Sequence, residues 1–439
     1  MKSTLIKNGI IVTVNAQREI IHGDLRFENG TITDIASKLV PRPGEELIEA
    51  NQGFVIPGLI QTHVHLCQIL FRGLADDLEL LDWLKQRIWP LEAAHSESSL
   101  RASARIGLLE MQLLGTTSIL DMGTVRLHEV IFEEAHNSGM RYWGGNCLMD
   151  RKSSAGPLYR ETAETLAYCE ELIEQWHLKT PLLQYAISPR FVISCTDRIL
   201  KAARQLQSQH GLIFHTHASE NKGEVAVVKK RTGMDNVKFL RHIDCLNDRT
   251  VIAHGIHLKP YEAKMMIKAK AGLAHCPSSN LKLASGIAPI HDYLRQGMKI
   301  GLGADGAPCN NMMDPFMEMR LAALLQKPSF GPTALNAQTA FELATIRGAE
   351  VLSAATEIGS LEKGKRADLV IVDRDHPSVA TVADPYSALV YSCSGRDVRD
   401  VWIDGKPIVK NKKHLRFDCE AELSVAREQL VTLRQRAKI

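Results

Sequence analysis

Residues 56–358 predict a (β/α)8 (TIM) barrel, an α/β fold, and residues 1–55 and 359–415 predict a small β-sandwich domain built from both termini. Three observations carry this reading. Eight apolar strand candidates alternate with helical patterns over roughly 290 residues, close to the ~250 typical of such barrels. Short alternating strands joined by Asn-Gly or Asp-Gly turns occupy both ends of the chain. Ionisable residues stand at the carboxyl ends of four apolar strands, the face on which these barrels carry their chemistry. A doubly wound sheet is the alternative, because strands counted from one sequence do not by themselves separate the two.

The N-terminal segment alternates apolar and polar residues. Leu5-Ile6 and Ile10-Ile11-Val12 flank Lys7-Asn8-Gly9, and Leu25–Phe27 and Ile32–Ile35 flank Glu28-Asn29-Gly30. Asn-Gly between alternating runs is a strong hairpin signal. The eight barrel candidates are Val55–Ile60, Thr116–Leu120, Arg141–Cys147, Leu182–Ile187, Leu212–His217, Val251–His254, Gly272–His275 and Lys299–Leu302. Between them, Ser98–Leu114 shows helical spacing of Leu100, Ala104, Leu108 and Met111, with Gly115 as its stop. Ala337–Val351 predicts another helix. After Gly359 the chain returns to β structure: Ala367–Asp373 is an apolar strand, and Asp404-Gly405 joins Val398–Ile403 to Pro407–Val409. Residues 416–439 hold a C-terminal helix over Glu420–Arg436.

The bulk numbers exclude several classes. With 439 residues, 45% hydrophobic and 23% charged, the chain is of ordinary globular composition. A formal net charge of +3 is too small for a nucleic-acid footprint. No apolar run approaches the ~20 residues that cross a bilayer. Nine scattered cysteines with no Cys-X-X-Cys pair, behind an N-terminus that reads as a strand, predict reduced thiols and a cytoplasmic protein.

The chemistry begins at Pro57–His65. An apolar strand runs into His63 and His65, and residues two apart on a strand share a side. Two imidazoles facing one way suit a metal ion, although a lone His-X-His is as readily a surface or core feature. The fifth candidate ends in His215-Thr216-His217-Ala218-Ser219-Glu220, the sixth in Ala253-His254, and the eighth in Gly303-Ala304-Asp305-Gly306. A capping Asp or a solvated His explains each alone; their common placement at strand ends argues for one site. Asp305 completes a set with His63, His65 and His217, leaving a position open for water, which marks a catalytic rather than a structural metal. Glu220 is placed beside it to move a proton. His254 faces the same cavity as a further ligand or a hydrogen-bond donor.

These motifs, with Val251–His254, His275-Cys276-Pro277-Ser278-Ser279-Asn280, Gly301–Gly306 and Gly359–Val370, resemble the amidohydrolase superfamily in its aromatic-heterocycle deaminase and chlorohydrolase branch. The resemblance covers essentially the whole chain. It implies one divalent metal, usually zinc with iron as the alternative, held by His63, His65, His217 and Asp305. It implies Glu220, His254 and Asp305 as the proton-handling residues. No strand-end lysine stands where two-metal members place a bridging one. The implied reaction is hydrolytic deamination of a small heterocycle, with Gln61, Trp83 and Trp89 as candidate pocket walls. Homo-oligomers are common in this family and are expected here, with no nucleic-acid or membrane partner.

Phe71–Asp77, Trp83-Leu84 and Pro90-Leu91-Glu92 are most similar to the 5′-methylthioadenosine/S-adenosylhomocysteine and 5′-deoxyadenosine deaminases, which implies that Glu92 holds the ribose hydroxyls. One position departs. Where adenosine-type members usually carry a histidine before Ser-Pro, this chain has Ile187. Pro189-Arg190-Phe191 instead resembles guanine and pterin deaminases, in which the arginine contacts a ring carbonyl. The expectation is therefore an adenosine-type deaminase. A free-base deaminase and a triazine-type chlorohydrolase are the alternatives.

Other patterns carry nothing. Gly301–Gly306 fits G-x-G-x-x-G, but Pro308 and Asn310-Asn311 predict a loop where a dinucleotide site needs a helix. Gly359–Arg366 lacks the Ser/Thr and the helix of a phosphate loop. His95, His128, His136, His177, His210, His242 and His291 are expected at the surface, and His257 and His275 divide between support and packing.

Overall fold

The computed structural model describes residues 3–439, so the first two residues of the N-terminal segment lie outside it. Eight parallel strands follow one another around a barrel: Leu59–Val64, Thr116–Met122, Arg141–Gly145, Leu183–Pro189, Ile213–Ala218, Thr250–His254, Gly272–His275 and Lys299–Leu302. They are numbered one to eight below. Each is followed by helices on the outside, the longest being Glu97–Leu113 after strand one and Pro315–Phe330 after strand eight.

The barrel closes between strands one and eight through few contacts, all at its carboxyl end. Val64 and Asp305 form an isolated parallel bridge. The Asp305 amide donates to the His63 carbonyl at 3.0 Å, and Thr62 Oγ1 donates to the Leu302 carbonyl at 3.0 Å. Gln61 spans the same seam: its Nε2 donates to Thr116 Oγ1 at 3.0 Å and to the Met313 carbonyl, and its Oε1 accepts from the Ala304 amide. Gln61 is thus a fastener of the barrel. Gly303 permits the closure, because a Cβ there would stand 2.6 Å from the His63 carbonyl oxygen and 2.9 Å from its amide nitrogen.

Both termini contribute to one nine-stranded sheet. Ser3–Val12 pairs antiparallel with Ile20–Glu28 and parallel with Phe54–Pro57. Phe54–Pro57 pairs antiparallel with Leu369–Val372. An apolar cluster including Ile11, Leu25, Phe27, Val55, Leu369 and Trp402 fills this part. A buried two-point ion pair fixes the sheet to the barrel: Arg141 Nε and Nη2 donate to Asp368 at 2.7 and 2.9 Å. Asp368 Oδ1 also accepts from the Asp404 amide at 2.7 Å.

Several features differ from expectation. Lys7-Asn8-Gly9 is not a hairpin turn: Ser3–Val12 is one strand, and the Asn-Gly pair sits at a shift of register between Ile6 and Gly9 in its pairing with Ile20–Glu28. The run Val55–Ile60 is two strands, not one: Phe54–Pro57 belongs to the terminal sheet and Leu59–Val64 to the barrel, with Gly58 between them. Continuous hydrophobicity hides the change of sheet because both halves are buried. Ala337–Val351 breaks at Ala344-Thr345 into Ala337–Leu343 and Ile346–Val351, because the Thr345 backbone leaves helical geometry. His128 is fully buried beside Tyr142, and the partly buried His95 spans Cys67 and Ser99, so neither is a surface residue. All nine cysteines are free, eight of them buried. No helix among the described residues is long and apolar enough to cross a membrane.

Gly303→Ala should therefore damage the seam. Overpacking costs about 1–3 kcal/mol. The expected outcome is a melting temperature lowered by several degrees together with weakened metal retention, read by calorimetry and metal analysis on the same sample. A stable, fully metallated variant would show that the seam tolerates a methyl group.

Candidate active site

Every strand-end residue singled out from the sequence arrives at one place. His63 Nε2 and His65 Nε2 lie 3.2 and 3.4 Å from Asp305 Oδ1. His65 Nε2 lies 3.3 Å from His217 Nε2. Ligand atoms of His63, His217, His254 and Asp305 are all within 4.8 Å of one another. His254 Nε2 stands slightly back, 3.8 Å from Asp305 Oδ2 and 3.7 Å from Glu220 Oε2.

These spacings fit a metal ion. Bonds of ~2.0–2.2 Å in a tetrahedron put neighbouring ligand atoms roughly 3.3–3.6 Å apart. Three edges, His63–Asp305, His65–Asp305 and His65–His217, come close to that spacing. His63 Nε2 is buried with no hydrogen-bond partner although a carboxylate oxygen is close, as when two groups face a common point.

The tautomers agree. His65 Nδ1 is bound to the Met122 carbonyl and His217 Nδ1 to the Arg190 carbonyl, both at 2.8 Å. A carbonyl only accepts, so each Nδ1 carries the proton and each Nε2 presents a lone pair inward. His63 Nδ1 meets His215 Nε2 at 2.8 Å, which places His215 behind the cluster as a support. Burial drives these imidazoles to their neutral form: His65 is lowered to about 3, and His63 and His217 are also lowered. Neutral imidazole is the form that ligates. Burial opposes the Asp305 charge, but the close approach of His63 and the His254 and His65 imidazoles hold its carboxyl well below the usual range.

The backbone at the site is strained. Ser219, His254 and Asp305 have φ of 56°, 72° and 62°, a left-handed region that non-glycine residues seldom occupy. Each stands where a strand turns outward into its loop. Ser279 Oγ donates to Asp305 Oδ2 at 2.6 Å, and the Gly306 amide donates to Oδ1 at 2.8 Å. Asn280 Oδ1 accepts from His254 Nδ1 at 2.9 Å. His257 supports the same loop through the Ser285 carbonyl. His275 is buried with neither ring nitrogen hydrogen-bonded, and its role is packing.

Glu220 lies on the cavity wall. Burial lifts its carboxyl to about 7, with His254 and Arg190 pulling it down and Asp305 pushing it up. Its backbone amide donates to the buried Glu224. A cleft open to solvent lies between the cluster and a roof of Leu80, Trp83, Leu84 and Phe191. Trp83 therefore lines it as expected, whereas Gln61 and Trp89 do not.

Glu92 and Arg190 occupy each other. Arg190 Nη1 and Nη2 reach the two Glu92 oxygens at 2.8 and 3.1 Å, and Gln68 Nε2 adds a third bond at 2.8 Å. Arg190 and Gln68 line the cavity, and Gln68 Oε1 is buried without a partner. Gly306 makes room for Gln68, since a Cβ there would lie 2.2 Å from Oε1. Gln68, Ser279 and Asn280 were not singled out from the sequence. The last two sit in a quoted motif, and Gln68 follows His65 by three residues.

A family model described as "Amidohydrolase family" matches residues 54–408. A 5′-deoxyadenosine deaminase from Methanothermobacter thermautotrophicus is 35% identical over 414 residues, covering 94% of this chain and 93% of the relative. A 5-methylthioadenosine/S-adenosylhomocysteine deaminase from Thermodesulfovibrio yellowstonii is 34% identical over 425 residues and 95% of each chain. The crystal structure of an adenosine deaminase from Xanthomonas campestris with bound zinc superimposes with a TM-score of 0.91 at 29% identity, covering 99% of both chains. The fold, the five-residue cluster and these likenesses agree, and the chain belongs to the amidohydrolase family as a metal-binding hydrolytic deaminase acting on carbon–nitrogen bonds.

Proposed function

We propose that the chain is a zinc-dependent deaminase that converts an adenosine-type nucleoside (5′-deoxyadenosine, methylthioadenosine or S-adenosylhomocysteine) and water to the inosine-type product and ammonia. The observation that carries this reading is the juxtaposition of Glu220 and His254 over the metal cluster, 3.7 Å apart at the floor of a cavity roofed by aromatic and aliphatic side chains. The adenosine-type names of the most similar relatives supply the substrate class.

His63, His65, His217 and Asp305 hold the ion in this reading. When bound, zinc supplies a Lewis acid that brings the pKa of a water toward neutrality. Glu220, lifted by burial to about 7, takes a proton from the attacking water and delivers it to the ring nitrogen next to the amino-bearing carbon. Asp305 orients the water. His254 receives the second proton at Nε2 and relays it to the departing amino group, which leaves as ammonia. The carbon–nitrogen bond breaks as the ring carbonyl forms. Trp83 and Phe191 flank the planar base.

A second reading is a free base with a ring carbonyl, such as guanine or a pterin. One geometric feature favours it. Glu92 is already saturated by Arg190 and Gln68, so it clasps a ribose diol only if that pair opens. In the second reading Glu92 instead stiffens Arg190 for a carbonyl oxygen, and the unpaired Gln68 Oε1 accepts from the neighbouring ring N–H.

Ammonia release across 5′-deoxyadenosine, methylthioadenosine, S-adenosylhomocysteine, adenosine, adenine, guanine and isoxanthopterin separates the readings. Turnover of the nucleosides alone is expected and makes Glu92 a ribose ligand. Turnover of the bases alone establishes the second reading. Silence across the panel in metallated protein transfers the site to triazine-type chlorohydrolysis, checked by chloride release.

Glu220→Gln should retain metal and lose about 10²–10⁴ of turnover, the usual worth of a positioned acid–base group. His65→Ala should lose the metal as well, as measured by elemental analysis. A Gln variant with near-normal turnover removes the assigned role. Chelation should abolish activity and lower the melting temperature, because the ion stabilises only the folded state. Added zinc should restore both.

A further inference from the structure

We infer that Asn280 is a positioning residue that fixes the tautomer of His254, keeping the Nε2 lone pair turned into the cavity to receive a proton. An imidazole with one proton carries it on the nitrogen that faces an acceptor. Asn280 Oδ1 is 2.9 Å from His254 Nδ1. The proton is therefore on Nδ1, and Nε2, buried and without a hydrogen-bond partner, faces Glu220 and Asp305. The amide oxygen holds the ring in one orientation without placing a fixed negative charge behind it.

The surroundings leave His254 little other control. Its backbone is held at φ 72° and its ring lies nearly parallel to His217, 17° between planes and 5.4 Å between centroids. Asn280 is itself anchored. Its amide donates to the Cys276 carbonyl at 3.0 Å, and its carbonyl accepts from the Ser285 and Gly286 amides at 2.9 and 3.3 Å. Asn280 Nδ2, by contrast, is buried with no partner. The side chain is thus held for its oxygen alone. Asn280 and its neighbour Ser279, which donates to Asp305, let the short helix Pro277–Lys282 orient two of the groups over the cluster.

The inference rests on the proton-receiving role proposed for His254, and the test separates the two. In zinc-loaded protein labelled with ¹⁵N-histidine, the His254 signal is assigned by its loss in His254→Gln. The expected pattern is a protonated Nδ1 and an unprotonated Nε2 in the wild type and in Asn280→Asp, which keeps an acceptor oxygen. In Asn280→Leu the proton should shift to Nε2 or exchange between the two nitrogens. Turnover of Asn280→Leu should fall about 10- to 100-fold, the usual cost of removing a group that orients a ligating or reacting histidine. KM should stay within about threefold, zinc should remain at one per chain, and Asn280→Asp should recover most of the loss. A wild-type His254 protonated at Nε2 overturns the inference on unaltered protein. So does an Asn280→Asp as inactive as Asn280→Leu, or a Leu variant with wild-type turnover. A His254→Gln variant with normal turnover removes only the proton-receiving role.

Discussion

The seam between the first and eighth barrel strands is the constraint on which the site depends. Strands two to eight are linked by extended ladders, but strand one meets strand eight through a single bridge and a handful of hydrogen bonds. Those bonds are the ones that carry the metal cluster: the His63 carbonyl accepts from the Asp305 amide. Barrel closure and assembly of the ligands are therefore one event. A metal held by residues of both strands, His63 and Asp305 among them, would tie the ring together where the backbone ties it least.

Burial sets the electrostatics at that seam. Several imidazoles and two carboxylates share a volume almost free of solvent, where unpaired charge is costly. The chain meets this by holding the histidines neutral and aiming each Nδ1 at an acceptor, so that the polarity left over points at one spot. The same logic explains the pairing of Arg190 with Glu92. A lone guanidinium at the cavity wall would repel a cation in the cluster. Bound at two points to Glu92, it keeps its direction and loses its net charge. Arg190 also joins the two regions through its backbone, since its carbonyl fixes the His217 tautomer. A side chain on the cavity wall is thus tied to the His217 imidazole through one peptide unit.

Much of this was legible in the sequence because period-two geometry and strand ends are local signals. His63 and His65 share a side, and apolar runs ending in His217, His254 and Asp305 declare their position without any knowledge of partners. The failures share one cause, which is that burial is a tertiary property. Val55–Ile60 reads as one strand because both of its halves are buried, in different sheets. His128 reads as a surface residue because nothing in its helix shows that Asp121 and Tyr142 close over it. Glu92 and Arg190 are 98 positions apart, and neither side chain announces that it is satisfied by the other. Gln61 has the composition of a pocket residue and the contacts of a barrel fastener.

The parts that were legible and the parts that were not also divide reaction from specificity. Reaction chemistry lies on the barrel floor, where strand register fixes side chains to within a fraction of an ångström and leaves little freedom. The roof comes from the segment after strand one, which brings Leu80, Trp83 and Leu84 over the cavity. That segment has turn geometry at Gly73 and Asp77, and Lys282 fastens it by reaching Asp76 at 2.6 Å from the end of the short helix that carries Ser279 and Asn280. A floor built on strands can stay constant while such a roof is rebuilt, so one metal site can serve nucleosides, free bases and triazines among proteins of one fold. For this chain the floor determines that a carbon–nitrogen bond is hydrolysed. Beside that floor Arg190, Glu92 and Gln68 form a closed set of hydrogen bonds, so any ligand group that reaches Glu92 has to displace one of them.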